Sequence, residues 1–174
     1  GRFTICARSP YTGIWGESNI GGFVGPELRY AGYDGLWITG RAPGPVYLWI
    51  HDGQAELRDA RALWGKTDTY ATQDAIRAEA GEAKARIASI GLGGENGVPY
   101  AAIMADHGRA AGRAGMGALM GSKNLKAVAV RGTTPLTFAH DEEYKRLRQE
   151  VNKALLEENM TTVFRDLGTG NAAE

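Results

Sequence analysis

Residues 2–8, Arg2-Phe3-Thr4-Ile5-Cys6-Ala7-Arg8, alternate between polar and apolar types closely enough to predict a strand. A Gly/Ser/Pro-rich loop is expected over residues 9–26. A short helix follows over residues 26–31, with Pro26 in its first turn and Gly32 at its end. Three strands are predicted next, over residues 35–39, 46–51 and 55–58, the last two joined at the hairpin dipeptide Asp52-Gly53. Residues 67–80 read as a helix ending at Gly81. Tyr70, Ala71, Ala75, Ile76 and Ala78 give it only a modest apolar stripe, as expected for a helix covering a sheet from outside. Strands are predicted over 84–90, broken by Gly91-Leu92-Gly93-Gly94, over 100–104, and over 125–130 as the final buried strand. Residues 141–159 place Tyr144, Leu147, Val151, Leu155 and Leu156 at helical spacing, a helix expected to pack on a neighbouring domain or the rest of its own. The fold class is α+β: a sheet-based unit over 1–134 with mixed strands and a few covering helices, then a helical segment over 135–174.

Composition narrows the picture. A chain of 174 residues with 43% hydrophobic and 23% charged residues is an ordinary globular chain able to bury a core. Lys+Arg and Asp+Glu both total 20, so no global charge recruits nucleic acid or an anionic membrane. No apolar run reaches the roughly 18 residues of a membrane span, and no signal peptide opens the chain; a reducing, cytoplasmic setting is the expectation. The single cysteine, Cys6, excludes an internal disulfide, cannot alone hold zinc or an iron–sulfur cluster, and is expected to be buried as a small hydrophobe. The chain opens inside a strand and ends without a stop signal, which reads as a piece of a longer protein.

Glycine is the outlier, with 25 residues, about twice the ~7% background. It is densest from Gly108 to Gly121, a stretch free of acidic residues that continues so to His140 while carrying Arg109, Arg113, Lys123, Lys126 and Arg131. Glycines let backbone N–H groups approach a ligand, and arginine matches phosphate oxygens with a planar fork. The stretch therefore suits a phosphorylated or otherwise anionic planar ligand; a glycine-rich turn with solvated arginines explains it equally well. Gly121-Ser122-Lys123 puts the lysine one place late for a Walker A loop. Gly115, Gly117 and Gly121 miss the dinucleotide spacing by one residue. Ser18-Asn19-Ile20-Gly21-Gly22 offers an amide oxygen that can cap a helix, close a turn or ligate a hard cation. The histidines at 51, 107 and 140 share no metal-ligand spacing, and no serine sits in a nucleophile elbow. His107 reads as a structural residue.

Several motifs in register resemble one family. Gly25-Pro26-Glu27-Leu28-Arg29-Tyr30-Ala31-Gly32-Tyr33-Asp34, Ala88-Ser89-Ile90-Gly91 with Gly94-Glu95-Asn96, Arg109-Ala110-Ala111-Gly112-Arg113, and Met120-Gly121-Ser122-Lys123-Asn124-Leu125-Lys126-Ala127 are similar to stretches of the tungsten-containing aldehyde ferredoxin oxidoreductases. The likeness covers residues 1–134 and implies most of that family's N-terminal domain, its start missing: a sheet platform beneath a tungsten bis-molybdopterin cofactor. It implies pterin contacts at Arg2, Asn19, Gly21, Arg109, Ala110, Gly112 and Arg113, with Asn19 and Ala110 holding a magnesium ion between the two phosphates. The whole enzyme would oxidise an aldehyde to a carboxylic acid and pass electrons through a [4Fe–4S] cluster to ferredoxin. The cluster cysteines and later pterin motifs are absent here, so the chain alone is expected to be inactive. His107-Gly108-Arg109 departs from the family's Gly-His-Arg. A homodimer is compatible with the likeness, though nothing in the chain marks an interface. Two alternatives stand beside this reading: a relative acting on another substrate, and a non-catalytic module docking a partner through residues 141–159.

Overall fold

The computed structural model describes residues 1–168 and 170, in two compact units, 1–134 and 135–174. In the first unit, β1 (Arg2–Arg8) and β2 (Trp15–Gly21) form an antiparallel hairpin, followed by α1 (Val24–Tyr30). Then come β3 (Val46–His51), β4 (Gln54–Asp59), α2 (Thr69–Ala80), β5 (Arg86–Ser89), α3 (Leu92–Glu95), β6 (Ile103–Ala105), β7 (Arg109–Ala111), α4 (Met116–Ser122) and β8 (Leu125–Arg131). A second sheet has the order β4-β3-β8-β5-β6-β7, with β3 and β8 parallel and the other neighbours antiparallel. The second unit holds α5 (Asp141–Glu157) and α6 (Asn159–Leu167).

Side-chain alternation along the six-stranded sheet separates two cores. Tyr47, Trp49, Ile87, Ala127 and Ala129 face α2, where Ile76 completes the cluster. Ile50, Ala88 and Val130 face the other way, against Ile20 of β2, Val24 of α1, and Met116 and Met120 of α4. The sheet is thus covered by α2 on one face and by α1, α4 and the β1–β2 hairpin on the other. Local signals set α2's ends: the Asp68 side chain accepts from the Ala71 N–H (2.8 Å), and Gly81 closes the helix at φ 64°.

Three expectations change, and the glycine-dense stretch, which carried no assigned element, gains two. A strand, β2, runs through the supposed loop 9–26; its buried positions are Gly16, Ser18 and Ile20, too small and polar for periodicity to reveal. Residues 35–39 form no strand, and Trp37 is 92% exposed. Cys6 is exposed, because Phe3, Ile5 and Ala7 take the core-facing positions of β1. The glycine-dense stretch is ordered as β7 and α4. A Cβ at Gly117 or Gly121 would collide with the carbonyl of Ala102 or Gly94, so these two glycines let α4 approach other backbone.

Candidate functional site

The two sheets of the first unit meet around a cavity of about 720 Å³, a size suited to a cofactor-sized ligand. Arg2, Glu17, Ser18 and Asn19 of the hairpin line it together with Ala110 of β7 and the following Gly112 and Arg113. These groups come from segments about ninety residues apart in the chain, and one hydrogen bond joins them directly: Arg113 N–H donates to the buried Ser18 hydroxyl (3.0 Å, 95 residues away). A second tie lies nearby, where the Asp106 carboxylate accepts from Phe23 N–H (2.6 Å) at the end of β2. Arg86 braces that tie, with its guanidinium 3.4 Å from Asp106 and 4.6 Å from the centre of the Phe23 ring.

Asn19 is oriented by its neighbours. Arg2 can only donate, and its NH1 lies 3.0 Å from Asn19 Oδ1, while Asn19 Nδ2 donates to Thr4 Oγ1 (2.9 Å) across the hairpin. The amide oxygen keeps a second lone pair. Arg109 and Gly21 are not among the lining residues. They lie beside each other at the end of β2, where a methyl built on Gly21 would sit 4.0 Å from Arg109 Cδ. Asn19 and Arg109 therefore belong to one side of the fold. Arg2, Asn19, Ala110, Gly112 and Arg113 share the cavity itself. His107 lies apart, its ring centre 5.3 Å from that of Tyr70 and its Nε2 3.4 Å from Asp74 on α2.

The positive field read from the sequence is smaller in space. Lys126 is fully buried and paired with Glu95, and its ammonium also donates to Thr67 O (3.1 Å). Arg131 is bound to Glu27 (2.7 Å), which holds its guanidinium pKa above the ordinary value. Lys123 donates to Gly40 O (3.1 Å). Arg2 and Arg113 remain as the cations of the cavity, with Arg109 close by.

Sequence reasoning did not single out Glu17, Thr4 or the Ser18 hydroxyl for this site. The available signal was parity: once residues 15–21 form a strand, Glu17 and Asn19 share a face and Ser18 takes the opposite one. Among the described residues no group of three or more His, Cys, Asp or Glu gathers. The cavity's own donors are guanidinium N–H groups and oxygens, a set suited to phosphate and to a hard cation rather than a soft metal.

Comparison with known proteins gives the chain a lineage. A sequence model described as "Aldehyde ferredoxin oxidoreductase, N-terminal domain" matches residues 1–132. The tungsten-containing aldehyde ferredoxin oxidoreductase of Pyrococcus furiosus is 49% identical over 88% of this chain and 25% of its own length. An aliphatic sulfonate oxidoreductase, WOR-like subunit, from the same organism is 44% identical over 96% of this chain and 28% of its own. Among solved structures, the active site complex BamBC of benzoyl coenzyme A reductase, in complex with 1,5-dienoyl-CoA, superposes with a TM-score of 0.85 at 43% identity. That match covers 90% of this chain and 24% of the other. The chain thus spans about a quarter of the length of the curated relatives it matches.

Proposed function

This chain belongs to the aldehyde ferredoxin oxidoreductase family, an oxidoreductase family, and from that premise we propose that its cavity binds the phosphate ends of a tungstopterin cofactor and an associated Mg²⁺. The observation that carries the reading is the convergence of Arg2, Asn19, Ala110, Gly112 and Arg113 on one cavity. When bound, the cofactor supplies the two-electron chemistry. The chain's own residues bind and orient it. Arg2 and Arg113 neutralise phosphate oxygens, Asn19 offers an amide oxygen to the cation, and Gly112, with open space where a Cβ would stand, leaves room for the ligand's approach. In the whole protein this platform serves oxidation of an aldehyde to a carboxylic acid, with a [4Fe–4S] cluster and ferredoxin carrying the electrons away. The 174-residue chain assayed by itself is expected to show no aldehyde oxidation.

A second reading concerns the substrate. Identities of 44% to the sulfonate oxidoreductase subunit and 43% to the benzoyl-CoA reductase complex stand close to the 49% of the aldehyde enzyme, so a sulfonate or an aromatic thioester is the alternative. The test uses the full-length protein prepared without oxygen, measuring tungsten, magnesium and pterin phosphate per chain. An Asn19→Ala, Arg113→Ala double variant is expected to hold at least tenfold less of all three, since a charge-assisted contact is worth about 1.5–3 kcal/mol. Retention at the wild-type level would remove the reading.

A further inference from the structure

One charged residue of the cavity has no part in that account. Glu17 lines the cavity with Arg2, Asn19 and Arg113, yet a carboxylate turned toward phosphate oxygens would be repelled by them. Its placement is held by the strand. Ser18 points inward, is buried and accepts from Arg113 N–H (3.0 Å), so Glu17 and Asn19 are kept on the opposite, open face of β2. Their Cα atoms are about 7 Å apart along the strand, near enough for both side chains to reach one ion. The arginines leave its charge free: Glu17 takes part in none of the ion pairs found among the described residues.

We propose that Glu17 is the charged member of a divalent-cation site in this cavity, facing the same Mg²⁺ as Asn19; this rests on the pterin-phosphate reading above. Arg2 and Arg113 take up part of the phosphates' negative charge, and an amide and a backbone carbonyl add only dipoles to the cation held beside them. A carboxylate brings that cation a full negative charge. Mg²⁺ is characteristically held by one or two carboxylates together with substrate phosphates, keeping several of its waters. Glu17 meets that need directly or through one of those waters, and its presence among arginines then follows from the cation rather than from the phosphates.

The full-length holoprotein, kept without oxygen, tests this by depletion with EDTA and titration with MgCl₂, reading magnesium and tungsten per chain by elemental analysis. For Glu17→Gln, which keeps the shape and removes the charge, the Mg²⁺ concentration at half occupancy should rise at least tenfold, with tungsten within twofold of wild type. Glu17→Asp should recover part of the loss. A Glu17→Gln midpoint within twofold of wild type overturns the proposal. If it does so while Asn19→Ala loses magnesium, only the role of Glu17 falls and the parent reading stands. Wild-type protein that binds tungsten and takes up no magnesium removes both. Should Glu17→Gln lose tungsten and magnesium together, Glu17→Asp decides: recovered magnesium supports the proposal, and none overturns it.

Discussion

Ser18 and Asp52 hold distant parts of the chain through one side-chain oxygen each. Ser18 Oγ satisfies the Arg113 N–H from inside the fold. Ser18→Ala leaves that amide without its partner and is expected to cost about 1–3 kcal/mol, measured by urea unfolding, and to lower cofactor retention in the full-length protein. Asp52, in the β3–β4 turn, accepts from both the Thr133 N–H (2.8 Å) and its hydroxyl (3.0 Å). Those hydrogen bonds, the backbone one foremost, hold its carboxyl below the usual aspartate value. A lowered folded-state value means stability that is present above the unfolded pKa of about 3.9 and lost as pH falls through the folded one. Urea midpoints of wild type and Asp52→Asn should therefore differ at neutral pH and converge below about pH 4. A gap that widens in acid would contradict the assignment.

The glycine-rich run separates into glycines with different duties once its elements are known. Gly115 starts α4 in the left-handed region at φ 68°, and Gly117 and Gly121 bring the helix against the backbone of Ala101, Ala102 and Gly94. Gly112 faces open space on the cavity wall. Gly121→Ala is expected to destabilise the fold by roughly 1–3 kcal/mol through overpacking. Gly112→Ala should leave the unfolding midpoint nearly unchanged while reducing tungsten retention of the whole protein. Equal effects of the two on stability would show that the run is uniform after all.

Across the whole first unit, the cavity exists because the hairpin and the six-stranded sheet share a core and are fastened at two points, Ser18 to Arg113 and Phe23 to Asp106. The Glu95–Lys126 pair, with side chains 2% and 0% exposed, secures α3 to β8, and Glu95 also accepts from Gly65 N–H (2.7 Å). Because α3 is the surface on which Gly121 of α4 rests, this buried pair supports the helix that follows the cavity loop. Lys126→Met leaves an unpaired buried carboxylate and should cost about 3–5 kcal/mol. A Lys126→Met, Glu95→Leu double variant should recover part of that, since neither charge then remains unmatched. A larger loss in the double variant than in the single one would argue against the pair.

Local patterns carried a good deal of this protein in one dimension. The strand at Val46–His51, the Asp52-Gly53 turn, the helix from Thr69 to its left-handed Gly81 cap, the buried strand from Leu125 and the family itself were legible, because periodicity, turn propensity and motif order involve residues close in sequence. Tertiary structure alone decided which charges reach the cavity. Lys126 is neutralised by Glu95, 31 residues away, and Arg131 by Glu27, 104 residues away. It also made a strand of residues 15–21, whose inward face of Gly16, Ser18 and Ile20 shows no apolar alternation, and exposed Cys6 by giving the core to its neighbours in β1. Ion pairing and the clearance for a Cβ atom depend on what another part of the chain brings within a few ångströms, and no window along the sequence contains that.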